Sequence, residues 1–174
     1  KKEVEEIVRK VGSEGVWVEV KGEEVKDLNP KPPYTTDTLL SEASRALNLP
    51  LSKVMKLAQD LFELGFITYH RTDSTHVSAL GRGIAEEYLS SIGLGDLFTP
   101  RSWGEKGTHE CIRPTRPIVS LDNLAYNAMT LNLTYAHKAL YDLIFKRFIA
   151  SQMSSAKVKY VKVSFIILDD LSIN

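Results

Sequence analysis

The chain has 174 residues, 43% hydrophobic and 25% charged, with formal net charge zero and a single cysteine. That is enough for one good-sized domain, or one domain with pieces of a neighbour, of ordinary globular composition. It excludes a disulfide framework and a zinc cluster made by this chain alone, contains no apolar run near the ~20 residues of a membrane span, and confines any nucleic-acid surface to a local patch.

The start, KKEVEEIVRK, is charged and amphipathic, with neither a secretory leader nor an initiator methionine. It reads as a piece of a longer protein, and the cytoplasm is the expected compartment. Apolar residues at 4, 7, 8 and 11 have helical spacing over Glu3–Val11, and Gly12 is a good stop. Val16–Val20, VWVEV, alternates as a half-buried strand would. The proline-rich run 28–33 has no helix potential and marks a boundary. A new domain opens at Thr36 or Asp37 as N-cap, with Leu39, Leu40, Ala43, Ala46 and Leu47 forming one helix face. After a tight connection at 48–51, Ser52 caps a second helix carrying Val54, Leu57, Ala58, Leu61 and Leu64, which Gly65 ends. Phe66–Tyr69 is β-prone, so helix, turn, helix and strand follow the plan of a winged helix-turn-helix. Ser78 caps a third helix, Ala79–Ser91, with Ile84, Ala85, Tyr88 and Leu89 inward. Residues 96–119 are expected to be a long irregular segment, of the kind that often carries function. A short helix is expected over Leu121–Met129. A stronger one, capped by Thr134, runs to about Met153 with Ala139, Leu140, Leu143, Ile144, Arg147 and Phe148 as its stripe. Val158–Leu168 is β-rich and returns toward the first elements. The fold class is therefore α+β and mainly helical, in three stretches: 1–30 and 156–174 from a β-containing neighbour, and 31–155 as the domain they flank.

Charge is uneven. Residues 1–27 carry six basic and eight acidic groups, whereas 118–174 carry six and four, with Lys146, Arg147, Lys157, Lys159 and Lys162 providing most of the positive charge. The run GFITYHRTDS, Gly65–Ser74, concentrates chemistry. A phenol, with a reference pKa of about 10, is a poor nucleophile. A guanidinium beside it and an anionic ester before it make it a plausible covalent catalyst. Arg71 shares a face with Tyr69 if the strand continues. Asp73 is placed to orient that arginine, and Thr72 and Ser74 add hydroxyls able to donate to phosphate oxygens. The bland alternative is a packing tyrosine at a strand end followed by a surface Arg71–Asp73 pair worth little. His70 and His76 flank the tyrosine within reach of a general-base role, although two solvent-facing loop histidines are the simpler reading. GTHECIRPTRP, Gly107–Pro117, is a second dense motif, with Cys111 a small buried hydrophobe.

GFITYHRTDS resembles the active-site tyrosine signature of type IA DNA topoisomerases. PPYTTDTLLSEAS (Pro32–Ser44) resembles the lead-in to their tyrosine domain, and GTHECIRPTRP their H-E-x-I-R-P-[ST] element. The three occur in the family's order from Pro32 to Pro117. His70, Cys111 and the late run LYDLIFKRFIASQM are similar to the topoisomerase half of reverse gyrase in particular. The resemblance implies that Tyr69 attacks a single-strand phosphodiester, becoming linked to the 5′ phosphate. It implies that Arg71 stabilises the phenolate and the phosphoryl charge, with Asp73 and Thr72 in support. His109 and Ser74 then contact DNA, Arg113 makes a DNA-backbone or a structural contact, and Glu110 has a family counterpart without an assigned role. It further implies a Mg²⁺-binding toprim domain elsewhere in the parent. This chain has no D-x-D pattern, and Asp169-Asp170 reads as a strand-terminating surface pair. It has no Gly-Lys-Ser/Thr loop for ATP either, which would be used only if the parent is a reverse gyrase. The expected partners are single-stranded DNA and the parent's toprim domain, with no membrane and a monomeric parent; residues 1–30 and 156–174 become parts of the gate-forming arch. The alternative is a non-catalytic winged-helix regulator using Ser52–Leu64, whose Lys53, Lys56 and Gln59 are thin for a major-groove reader.

Overall fold

A computed structural model describes residues 2, 5, 6, 16–117 and 133–167, with the backbone alone at 16, 17, 166 and 167. The expected helices over Glu3–Val11 (Glu5 and Glu6 apart) and Leu121–Met129, with Gly12 and Asp169-Asp170, lie outside them. The chain divides into two compact units: Asn29–Ser155, and the two flanking stretches 1–28 and 156–174.

The flanking unit is an antiparallel ribbon of β1 (Val16–Leu28) and β2 (Ala156–Ile167), in register from Val16↔Ile167 to Leu28↔Ala156 with a bulge between Val20 and Gly22. Both strands are longer than their alternating cores suggested. The expectation of half-burial fails within this unit, because Val18, Val20, Val161, Val163 and Phe165 are all exposed.

Unit 29–155 is built on four helices among the described residues: α1 (Thr36–Leu47), α2 (Leu51–Glu63), α3 (Ala79–Ser91) and α4 (Tyr135–Ser151), with a 3₁₀ turn at Gly95–Leu97. Thr35, not Thr36 or Asp37, caps α1, exchanging bonds with Thr38 in a capping box. That one-residue difference frees the Thr36 side chain. Pro50 precedes α2 without a side-chain cap, so Ser52 lies inside the helix rather than at its start. Proline suits this place, having no amide to leave unpaired and a φ already near the helical value. Ser78 caps α3 as expected, and Thr134 with His137 forms a capping box at α4.

The core joins Leu39 and Ala43 of α1 to Val54, Leu57, Ala58 and Leu61 of α2, Ile84, Ala85 and Leu89 of α3, and Leu140, Ile144 and Phe148 of α4. Each large apolar side chain so buried contributes about 1.5–3 kcal/mol. α4 buries more than its expected stripe, adding His137, Tyr141, Phe145 and Ile149. Two polar ties brace the packing. Arg147 of α4 pairs with Glu42 of α1 and lies 4.5 Å over the ring of buried Tyr34, whose hydroxyl burial pushes up to about 12. His137 reaches Asp60 of α2 at 3.2 Å.

The strand expected at Phe66–Tyr69 does not form. Ile67 makes one antiparallel bridge to Pro114, and the remainder is irregular.

Candidate functional site

Gly65 takes φ +74°, a conformation only glycine adopts freely, and turns the chain out of α2. The next residues lie along the second motif. Thr68 N–H donates to Arg113 O at 2.9 Å, its hydroxyl donates to Cys111 O at 2.7 Å and accepts from Arg113 N–H at 3.0 Å. Thr115 N–H reaches Phe66 O, while its hydroxyl donates to Gly65 O. On its other side the second motif is held by Cys111 N–H to His76 O and Ile112 N–H to Tyr34 O, at 2.9 and 2.8 Å. Three segments far apart in sequence are thereby laced into one irregular platform.

On that platform Tyr69 meets His109, ring centroids 4.9 Å apart and inclined by 42°. Phe62 of α2 packs edge-on against Tyr69 at 5.4 Å, and His70 at 5.7 Å. Tyr69 is partly exposed and His109 exposed, so the pair is open to a ligand. Beside it lies an open cleft of about 360 Å³ lined by Thr36, Asp37, Met55, Arg71, Thr72, Asp73 and His109.

Arg71 and Asp73 are exposed and both line that cleft, but no hydrogen bond or ion pair joins them among the described residues. No described residue pairs with the guanidinium, and Asp73 does not orient it. Because the strand does not continue, Tyr69 and Arg71 do not share a strand face either. Thr72 is 6% exposed and its hydroxyl accepts Ser74 N–H at 3.1 Å; Ser74 Oγ in turn accepts His76 N–H at 3.1 Å. These two oxygens shape the turn as acceptors.

His70 is not solvent-facing. It is 1% exposed, and neither ring nitrogen has a partner. Burial, and then the Arg71 charge, hold its pKa below the ordinary value. His76 is bound through Nδ1 to Gly104 O at 3.1 Å.

Arg113 is turned inward. It is 3% exposed and forms a two-pronged pair with Glu110, Nε to Oε2 and Nη2 to Oε1, both at 2.9 Å, while Nη1 donates to Pro114 O. It braces the platform from inside. Glu110, which the sequence left without a role, also accepts Ser78 N–H at the start of α3 at 3.2 Å. Burial alone would raise this carboxyl, but the Arg113 and Ser78 bonds hold it below the usual range. Cys111 is fully buried, its thiol pushed up to about 12 by burial.

The sequence missed Thr36, Asp37, Met55 and Phe62. A second threonine next to a cap, and an aromatic one turn before the helix-stopping glycine, were the available signals. Among the described residues no three His, Cys, Asp or Glu side chains converge to hold a metal ion, although Asp37 and Asp73 share the cleft. No helix among them is long and apolar enough to cross a membrane.

Comparison with known proteins then adds the wider context. The family model described as "DNA topoisomerase" matches residues 1–173. Reverse gyrase 1 of Aquifex aeolicus is 51% identical over 165 residues, covering 94% of this chain and 14% of the relative. Reverse gyrase of Pyrococcus furiosus is 54% identical over 142 residues, covering 79% and 12%. Full-length topoisomerase I of Thermotoga maritima superposes with a TM-score of 0.70 at 30% identity, over 95% of this chain and 30% of that one. The chain therefore spans about one seventh of the first relative's length.

Proposed function

The chain belongs to the type IA DNA topoisomerase family, and from that membership we propose that it supplies the cleaving tyrosine of a longer enzyme, of the reverse gyrase kind. The observation that carries the reading is the ring contact of Tyr69 with His109 beside a cleft lined by Arg71, which pairs with no described residue. Two motifs some forty residues apart converge there on one surface.

In this reading Tyr69 Oη attacks the phosphorus of a single-strand phosphodiester. A phosphotyrosine bond to the 5′ side forms, the bond to the 3′ oxygen breaks, and the phenolic proton is balanced by the proton the 3′ hydroxyl takes up. One ester replaces another, so the reverse step reseals the strand without an energy source. Arg71 faces the charge developing on the phosphoryl oxygens. His109 contacts the phosphate next to the phenol. Asp73 and Thr72 shape the wall of the cleft, Thr72 and Ser74 through the turn that presents Arg71.

Mg²⁺ is assigned to the toprim domain that the family resemblance implies for the parent. ATP belongs to the parent only as a reverse gyrase. Residues 31–155 act as the tyrosine domain, with α1 and α2 as a winged-helix-like platform, and 1–30 with 156–174 as ends of the arch. Single-stranded DNA and the toprim domain are the partners, and the parent acts as a monomer in the cytoplasm. The regulator alternative is weakened by α2 itself, where Lys56 pairs with Asp60 and Gln59 with Glu63.

The test is Tyr69→Phe in a full-length protein carrying this chain. Denaturant-stable protein–DNA adducts disappear, whereas single-strand binding stays within about threefold, since one oxygen is removed. Adducts that persist in the phenylalanine variant would refute the assignment of the nucleophile.

A further inference from the structure

We propose that Thr36 is the positioning residue for Arg71, acting through the backbone on both sides of it. The inference rests on the function proposed above and deepens it. Thr36 Oγ1 shares its one proton between the carbonyls of His70, at 2.8 Å, and Thr72, at 3.0 Å. The same oxygen accepts Thr72 N–H at 2.8 Å, and Thr36 N–H donates to Thr72 O at 2.8 Å. One residue thus grips the carbonyl before Arg71, the amide after it and the next carbonyl.

This grip matters because little else among the described residues orders Arg71. No described residue pairs with its guanidinium, it lies outside regular secondary structure, and Asp73 does not hold it. An exposed arginine has many rotamers, and the range its head covers is set by where its Cα is fixed. Thr36 sits in the first turn of α1, whose own cap is supplied by Thr35, so the clamp is anchored to a helix packed into the core through Leu39 and Ala43. Thr36 also lines the cleft that Arg71 faces, so a phosphate bound there lies next to both residues.

The grip requires a hydroxyl. Thr36→Ser keeps it. Thr36→Val keeps the shape, removes the hydroxyl, and leaves His70 O and Thr72 N–H without partners. A displacement of about 1 Å at a catalytic group lowers a rate on the order of 10²-fold.

Two measurements decide the matter. In this chain, hydrogen exchange at the Thr72 amide is protected in the native protein and in Thr36→Ser, and loses that protection in Thr36→Val. An unprotected native Thr72 amide would overturn the clamp, whatever the function. In the full-length protein, single-turnover adduct formation at saturating DNA falls on the order of 10²-fold in Thr36→Val and recovers in Thr36→Ser, while DNA affinity changes less than about threefold. A valine variant that cleaves at the native rate, or loses affinity instead of rate, would overturn the positioning role even with Tyr69 confirmed. Failure of the native protein to form adducts would sink the functional reading and this inference together, with the Thr72 amide still reporting the clamp.

Discussion

Gly81→Ala and Gly83→Ala make the same change two residues apart in α3, yet the structure gives them opposite signs. A Cβ at Gly83 meets nothing within 4 Å, so only the helix preference for alanine acts, stabilising by about 0.5–1 kcal/mol. At Gly81 the new carbon would sit 2.8 Å from Arg113 Nε and 3.0 Å from both Arg113 Cδ and Val77 Cγ1. A surface arginine would swing aside. Arg113 cannot, being 3% exposed and fixed by Glu110 and Pro114. Forcing it off its rotamer costs about 1–3 kcal/mol, and complete rupture of a buried pair about 3–5. Glu110 keeps 29% of its side chain exposed, so water replaces part of what it loses, and the lower range applies. After the helix gain, Gly81→Ala is expected to destabilise by up to about 2.5 kcal/mol and to fall about 1–3 kcal/mol below Gly83→Ala, read from urea unfolding followed by circular dichroism. If Gly81→Ala proved as stable as Gly83→Ala to within about 0.5 kcal/mol, the arginine would be mobile and its role as internal brace would be wrong.

The remaining predictions concern other buried polar groups. His70 has a folded pKa below its unfolded value of 6.5, so its contribution is complete above that pH. Below it the unfolded chain takes up the proton first, and stability falls with pH. His70→Leu should flatten the decline of melting temperature between pH 6.5 and 5; identical slopes for variant and native protein would remove His70 from the account. For Arg147 and Glu42, the cycle of Arg147→Met, Glu42→Gln and the double variant should give a coupling on the order of 1 kcal/mol, reduced because Glu42 is partly exposed. Zero coupling in urea unfolding would mean that Tyr34, not Glu42, is what Arg147 serves.

What was legible in sequence was mostly local. Ser78 begins α3 because a cap needs only a hydroxyl and the amide three residues on, here Gly81 at 3.2 Å. The apolar period of α2 marked Val54, Leu57, Ala58 and Leu61 for the same reason. Family membership was legible because three motifs stood in order. The failures are non-local. Phe66–Tyr69 has strand propensity, but its neighbour across the bridge is Pro114, which has no N–H to extend a ladder. Arg113 stayed open between a DNA-backbone and a structural contact because a cation in a motif carries no mark of its surroundings, and Gly81, which makes room for it, is 32 residues away in sequence. His70 was placed outside on polarity alone; its burial beside Phe62 and Tyr69 is a tertiary fact. Thr36 was itself one of the two cap candidates, with Asp37, which hid that its side chain is free for another task.

The ribbon has a consequence for the order of folding. Its first pair, Leu28↔Ala156, joins residues separated by roughly 130 positions. Closing a flexible loop of that length costs about 4 kcal/mol, more than a two-stranded ribbon can supply by itself. Asn29 and Ser155, the two ends of the intervening unit, are hydrogen-bonded at 2.6 Å. Once that unit has folded, the two strands begin side by side and the penalty has already been met by its core. The helical unit should therefore fold first and β1 and β2 zip afterwards from the Leu28 end, and a two-residue turn in place of the helical unit should leave a ribbon of unchanged register.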